Sequence, residues 1–258
     1  MCVQHGLLGG HQLTQQWRKH RGEVRSLGGR HQIIVGIAIS YTLAYDKLMP
    51  TLSTDLLSAH RVAILASVDV VGTVTGNDLK RPTPCAGWDL ADLLAHMTVQ
   101  HRGFAAAARG GGQDLGLWNP DSVRDTQDPV GDYAAAAHDV VAAFAEADPA
   151  SQFALPELGT SVPAEMAIGF HLIDYAVHGW DVAATLGAPF TLPDDVVAAA
   201  LPLALAVPDG DFRNMANAPF GPAQTGDSPT DFDRLLRHLG RDPHWSDASD
   251  HESPHPVQ

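Results

Sequence analysis

Four ionisable side chains recur along one apolar segment, and their types and spacing are those of a cation site. His171, Asp174, His178 and Asp181 interrupt the largely apolar run from Pro163 to Leu186. Their offsets of three, seven and ten residues place all four on one face of an α-helix. A line of ionisable groups on an apolar helix must face water, a partner or an ion.

Asp174 and His178 are the pair that best fits a metal ion. Residues four apart on a helix lie one above the other, so one carboxylate and one imidazole can reach the same cation. A third ligand from another helix would leave an open position for chemistry. The alternative interpretation is a polar pair on a solvated helix face, which is the common situation for such a pair.

A second helix offers the third ligand. Asp89 and Asp92 predict a helix start of the capping-box type. His96 follows Leu93 by three residues, so it borders the buried stripe and points partly inward. His101 is predicted on a different side of this helix. His96 is therefore the candidate third ligand, and the alternative for His96 is a hydrogen-bonded core histidine.

Three further residues have a functional and a structural interpretation. Cys85 lies just before a helix, where a thiol can have a lowered pKa, but we favour a small buried hydrophobe. His60 is interpreted as a packing or surface residue. The Gly- and Asp-rich segment 109–128 is long for a loop in a compact domain, which predicts a lid with Trp118 covering a site.

Apolar periodicity and end signals predict six helices, four of them long, and no strands. This pattern is typical of an all-α protein, a four-helix bundle with additional C-terminal helices. The predicted domains are an extension (1–48), a metal-binding bundle (49–190), its C-terminal helical extension (191–245) and a disordered tail (246–258). The predicted helices run from Ser53 or Thr54 to Thr73, from Asp89 through the alanine run ending at 108, from Pro129 (capped by Asp128) to Ala147, from Pro163 to Leu186, from Pro193 to Val207 with a kink at Pro202, and from Ser228 to Leu239.

Composition limits the possible partners and the compartment. The 258 residues carry a net charge of −14, which disfavours binding to nucleic acid and to anionic membranes. The only cysteines, Cys2 and Cys85, give no disulfide framework and favour a reducing cytoplasm. Residues 1–48 hold six Lys/Arg against two acidic residues and a short apolar run. We favour translation from Met49 over a signal peptide for this stretch.

Three motifs, RPTPCAGWDLADLLAHM, HLIDYAVHGWDVAATLG and FGPAQTGDSPTDFDRLLRHLGRDPHW, resemble an actinobacterial family of metal-binding proteins. The family belongs to the DinB-like superfamily and is related to the N-terminal domain of mycothiol-dependent maleylpyruvate isomerase. The resemblance covers residues 50–245 and implies a DinB-like four-helix bundle. It also implies a divalent metal, most often zinc, held by His96, Asp174 and His178.

This sequence departs from the isomerase in two places. The isomerase has a glutamate where Asp174 stands, and the shorter side chain holds the carboxylate closer to its helix. About 55 residues follow the bundle, too few for the sterol-carrier-like domain of the isomerase, so maleylpyruvate isomerisation is not the expected reaction.

The function expected from these features is that of a metal-dependent thiol S-transferase or isomerase. The metal would activate a small-molecule thiol, with mycothiol as a possible co-substrate and an electrophile as the second substrate. His171 would act as a catalytic proton shuttle or would support a ligand from outside the metal shell. Asp181 would orient His178 or bridge to a neighbouring loop. One alternative is a metallohydrolase on the same bundle, and another is a non-catalytic module in which His171 closes a four-ligand shell.

Overall fold

The structure is a computed structural model that describes residues 56–214 and 218–247. Within these residues the chain forms six α-helices and one small hairpin, so the predicted helical bundle with additional C-terminal helices is confirmed. None of the described helices combines the length and apolar character needed to cross a membrane. The helices are α1 (Leu56–Val71), α2 (Leu90–Ala108), α3 (Pro129–Glu146), α4 (Ala164–Leu186), α5 (Asp194–Ala206) and α6 (Asp231–His238).

The first four helices form the bundle that positions the site. Helix α1 packs on α3 and α4, and α2 packs on the same two helices, so each helix has two neighbours around a common interior. Most of α4 is buried, which is why its sequence is apolar on nearly every side. The largest side chains that are completely enclosed in this interior include Leu94, Met97, Tyr133, Phe144, Leu172 and Tyr175.

The ends of the bundle helices follow the end signals in the sequence. The Asp89 side chain accepts from the backbone N–H of Asp92, and the Asp92 side chain accepts in return from Asp89, which is the predicted capping box. The Asp128 side chain accepts from the backbone N–H of Gly131 at the start of α3. Gly187 ends α4 with φ of 66°, a left-handed conformation that glycine adopts without steric cost.

The prediction that the chain has no strands is wrong. Strands β1 (Gln152–Leu155) and β2 (Thr160–Pro163) pair in antiparallel fashion, with Gln152 opposite Pro163. Each strand has four residues, too few for alternating hydrophobicity to be distinguished from loop sequence. The hairpin leads directly into α4 and buries Phe153 and Val162 against the bundle.

The C-terminal part packs on the outside of the bundle. Helix α5 contacts α1, α4 and α6, and Pro202 lies within it. The predicted start of the last helix at Ser228 is wrong, because Thr230 caps α6 in a reciprocal capping box with Asp233. The predictions for residues 1–48, for the helix cap at Ser53 or Thr54 and for the tail beyond Asp247 lie outside the described residues.

Candidate metal centre

The three predicted ligands converge in the interior of the bundle. His96 of α2 and Asp174 and His178 of α4 are buried, and their ligand atoms all lie within 4.8 Å of one another. His178 Nε2 is 3.5 Å from Asp174 Oδ1. Two ligands at metal distances of 2.0–2.1 Å in a tetrahedral shell would be about 3.3 Å apart, so this spacing suits one shared ion.

Asp181 fixes the orientation of the His178 ring. Its Oδ2 lies 2.8 Å from His178 Nδ1, with both side chains fully buried. If His178 Nδ1–H donates to this carboxylate, Nε2 carries the lone pair and faces Asp174. Burial also lowers the pKa of His178, which favours the neutral imidazole that binds metals. The structure therefore places Asp181 in the hydrogen-bond contact with His178 that the first of its two predicted roles requires.

Arg241, from the segment after α6, completes this arrangement. Its Nε and Nη2 donate to the two oxygens of Asp181 over 2.8 and 2.9 Å, a bidentate pair that is buried on both sides. Burial acts to raise the pKa of Asp181, but Arg241 and His178 outweigh it and lower this pKa to about 2. The Asp181 carboxylate is therefore ionised and held between the Arg241 guanidinium and the ring of His178, a predicted metal ligand.

A glycine turn delivers Arg241 to the bundle. Gly240 has φ of 82°, and a Cβ on it would lie 2.9 Å from the carbonyl oxygen of Gly221. Only glycine fits this close approach in a left-handed conformation. Sequence reasoning missed Arg241 as a functional residue, because about 60 residues separate it from Asp181 and no periodicity relates the two.

Cys85, His178 and Asp181 form a second group with potential ligand atoms within 4.8 Å. The 2.8 Å between His178 Nδ1 and Asp181 Oδ2 is a direct hydrogen bond, too short for an ion between them. The predicted burial of Cys85 is confirmed, but its Sγ lies 3.3 Å from both Asp181 and Arg241. The prediction about disulfides also involves Cys2, which lies outside the described residues.

Trp88 is the tryptophan that contacts a proposed ligand. Its ring centroid is 5.0 Å from that of His96. Trp118, predicted to cover a site from a lid, instead packs against Phe104 with a centroid distance of 5.4 Å. Its Nε1–H donates to the carbonyl of Gly112 within the same loop, so the hydrogen bond closes the loop on itself and the contact with Phe104 attaches it to α2.

His171 lies in a separate cluster of three histidines. Its Nδ1 is 2.9 Å from His60 Nε2, and its Nε2 is 3.2 Å from His101 Nδ1. All three rings are buried, so the packing interpretation of His60 is confirmed and its surface alternative is wrong. His101 lies on a different side of α2 from His96, as predicted, but that side also faces the interior. The signal for His101 was its position four residues after the buried Met97, which continues the same helix face.

The structure also decides between two interpretations of the polar line on α4. His171, Asp174, His178 and Asp181 are each at most 6% exposed, which excludes a solvated polar face. Both ring nitrogens of His171 face other histidines, and His171 belongs to neither candidate ligand group within residues 56–214 and 218–247. Within these residues, His171 therefore does not complete a four-ligand metal shell with His96, Asp174 and His178.

Comparisons with known proteins found one matching family and two relatives of similar sequence. The family described as "Mycothiol maleylpyruvate isomerase N-terminal domain" matches residues 60–183. Two uncharacterized proteins of Mycobacterium tuberculosis, from strains CDC 1551 / Oshkosh and ATCC 25618 / H37Rv, are each 31% identical over 196 residues. Each alignment covers 72% of this chain and 98% of the relative.

One solved structure is also similar, the crystal structure of the mycothiol-dependent maleylpyruvate isomerase. It matches with a TM-score of 0.45 and 15% identity. The match covers 57% of this chain and 66%, just under two thirds, of that one.

Proposed function

Because this chain belongs to the family of the mycothiol maleylpyruvate isomerase N-terminal domain, we propose that it binds one divalent metal ion and uses it to activate a small-molecule thiol. The ligands would be His96, Asp174 and His178. The observation that carries the proposal is the convergence of these three side chains, from two helices, within 4.8 Å of one another in the buried interior.

The donor set favours zinc. Two imidazole nitrogens and one carboxylate oxygen are common catalytic zinc ligands, and three protein ligands leave room for one exogenous ligand in a tetrahedral shell. A divalent ion held there would lower the pKa of a thiol that binds to it and so make the thiol nucleophilic at neutral pH. Thiol S-transfer or thiol-assisted isomerisation, with mycothiol as the thiol, is the reaction class that follows.

The remaining residues hold the ligands in place. Asp181 accepts from His178 Nδ1–H and thereby presents Nε2, and Arg241 fixes the Asp181 carboxylate. Trp88 packs against the His96 ring and limits its rotation. We assign His171 a supporting role, since its ring hydrogen bonds to α1 and α2 hold the part of α4 that lies one turn before Asp174.

The test is metal content of the full-length chain after reconstitution with zinc, nickel or manganese. We expect about one equivalent per chain, lost in His96→Ala and in His178→Ala. His138→Ala is the matched control, because His138 lies exposed on α3 and should leave the metal content unchanged. Circular dichroism must show that the helices persist. Absence of metal from the parent, or its retention in both ligand variants, would refute the site.

The thiol assignment is tested against the metallohydrolase alternative by substitution with cobalt(II). Binding of a thiol to the ion produces a sulfur-to-cobalt charge-transfer absorption that a hydrolase substrate would not produce. We expect this band on adding a mycothiol-type thiol. Cobalt binding without the band would favour a hydrolase or a non-catalytic metal-binding module, while leaving the metal site itself intact.

A further inference from the structure

Three buried histidines connect three helices of the bundle. His60 of α1, His171 of α4 and His101 of α2 form a chain with nitrogen–nitrogen distances of 2.9 and 3.2 Å. None is more than 1% exposed. Each ring therefore has to satisfy its hydrogen-bonding groups inside the protein, and the chain is the main way it does so.

The surroundings of this chain are aromatic and uncharged. Phe104 and Phe144 meet the His171 ring edge-on at centroid distances of 4.7 and 5.4 Å. Tyr175 stacks on His171 at 4.3 Å and on His101 at 4.0 Å. A positive charge on any of the three rings would lose its hydration and gain little compensation here.

The titratable groups around the chain do not supply a counter-charge. Tyr133 of α3 and Tyr175 of α4 contact the rings, and burial raises the pKa of both, so they stay neutral. Asp174 lies one turn along α4 from His171 but makes no hydrogen bond or ion pair with the three rings. No other acidic side chain within residues 56–214 and 218–247 makes one either.

One nitrogen sets the direction of the hydrogen bonds. His101 Nε2 is buried and has no hydrogen-bond partner within the described residues. A buried N–H without an acceptor is rarer in proteins than an acceptor without a donor, so Nε2 should carry the lone pair. His101 Nδ1–H then donates to His171 Nε2, and His171 Nδ1–H donates to His60 Nε2. His60 carries its hydrogen on Nδ1, which, unlike His101 Nε2, is not a fully buried atom without a partner in the described residues.

We propose that His60, His171 and His101 form a chain of neutral imidazoles, all protonated on Nδ1, that acts as an acid-sensitive joint between α1, α2 and α4. The unpartnered His101 Nε2 is where an added proton would bind. The resulting N–H would have no acceptor and the charge no counter-ion, so the proton is accommodated only when the helices separate. The joint ties together α2 and α4, the two helices that carry the proposed metal ligands, but its hydrogen bonds involve none of those ligands.

The direction of the pH effect follows from the pKa shifts. Burial lowers the pKa of His60 to about 3, and burial lowers those of His101 and His171 well below the usual 6.5. The unfolded chain therefore binds protons that the folded chain does not, from pH 6.5 downward. Above this pH the three histidines do not reduce the stability of the fold. As the pH is lowered further, each histidine raises the unfolding equilibrium constant by up to about tenfold per pH unit.

The test combines spectroscopy of the wild-type chain with one variant. In ¹⁵N-labelled full-length protein, the imidazole shifts of the three residues should report neutral, Nδ1-protonated rings between pH 7.5 and 5 while the fold is intact. Titration of any of the three near pH 6.5 in the folded protein would overturn the proposal, as would a hydrogen on His101 Nε2. This measurement needs no substitution, so it decides the matter even if variants fail to fold.

The variant is His101→Phe, which keeps an aromatic ring for Tyr175 to stack on and removes the unpartnered nitrogen. Between pH 6.5 and 5, the unfolding equilibrium constant of the wild type rises with each unit of acidification by some factor. In the variant this factor should be about ten times smaller, because one histidine no longer takes up a proton on unfolding. His138→Gln, on the exposed surface of α3, should keep the wild-type slope. If His101→Phe keeps the wild-type pH dependence of unfolding, the proposal is wrong.

Discussion

The buried pair of Asp181 and Arg241 allows the support of the proposed metal ligand to be measured as a coupling energy. The two side chains share two hydrogen bonds of 2.8 and 2.9 Å and are at most 5% exposed. Asp181→Asn leaves a guanidinium buried without its anion, and Arg241→Met leaves a carboxylate without its cation. Each should reduce the free energy of unfolding by about 3–5 kcal/mol, because the remaining charge cannot return to water.

The double variant should lower the free energy of unfolding by less than the sum of the decreases in the two single variants. Once one partner is gone, removing the other also removes the uncompensated charge, so we expect a coupling of about 2–3 kcal/mol. Guanidinium denaturation of the metal-free protein measures it. Costs that add to within about 0.5 kcal/mol would refute the view that these groups are buried as one ionic unit.

The chain contains a matched control for this cycle. Arg109 and Asp139 form a bidentate pair with similar distances of 2.9 and 2.7 Å, but the two side chains are 46% and 51% exposed. The same substitutions there, Arg109→Met and Asp139→Asn, should show a coupling of only about 0.2–1 kcal/mol, since water screens both charges. Equal couplings in the two cycles would mean that burial is not the cause.

The same variants test the link to the metal. Asp181→Asn offers His178 Nδ1–H a weaker, neutral acceptor, so zinc affinity measured by competition with a chelator should fall about 10- to 100-fold. The Arg109 and Asp139 variants should bind zinc as the parent does. Unchanged affinity in Asp181→Asn would leave Asp181 with a role in stability alone.

Two further substitutions test how the loop and the C-terminal helix are attached. In Gly103→Ala, the new Cβ would lie 2.4 Å from the Trp118 ring, so we expect a loss of about 1–3 kcal/mol in thermal or chemical unfolding. In Gly111→Ala the nearest atom is 3.6 Å away and the change should stay within about 0.5 kcal/mol, and a similar loss in both variants would contradict the packing. Thr230→Ala removes the side-chain acceptor for the Asp233 backbone N–H and should lower the free energy of unfolding by about 1 kcal/mol. Thr230→Ser keeps an acceptor and should leave it unchanged, so equal stabilities of the Ala and Ser variants would argue against the cap.

The sequence was sufficient where one helix determined the answer. The extent of α4, its end at Gly187 and the shared face of Asp174 and His178 all follow from 3.6-residue periodicity and local end signals. His96 could be proposed as the third ligand because it borders the buried stripe of its own helix. These predictions needed no knowledge of how the helices are arranged.

The sequence was insufficient where two helices had to be placed relative to each other. Periodicity indicates that His60 and His101 lie near apolar faces, but not that both rings meet His171. The contact of Arg241 with Asp181 depends on the path of the chain from α5 through α6 to the turn at Gly240. Position on a helix face limits which residues can meet, and only the packing of the helices decides which do.

The polar groups of α4 are difficult to explain by stability alone. His171, Asp174, His178 and Asp181 share a helix face yet are divided between the histidine chain and the proposed metal centre, and each has polar partners inside the protein. Buried polar groups that are well paired still contribute little more than apolar side chains of the same volume. An apolar α4 would therefore build the same bundle at no loss in stability. The presence of both polar systems on so deeply buried a helix is the expected result if one binds a metal and the other makes the bundle sensitive to acid.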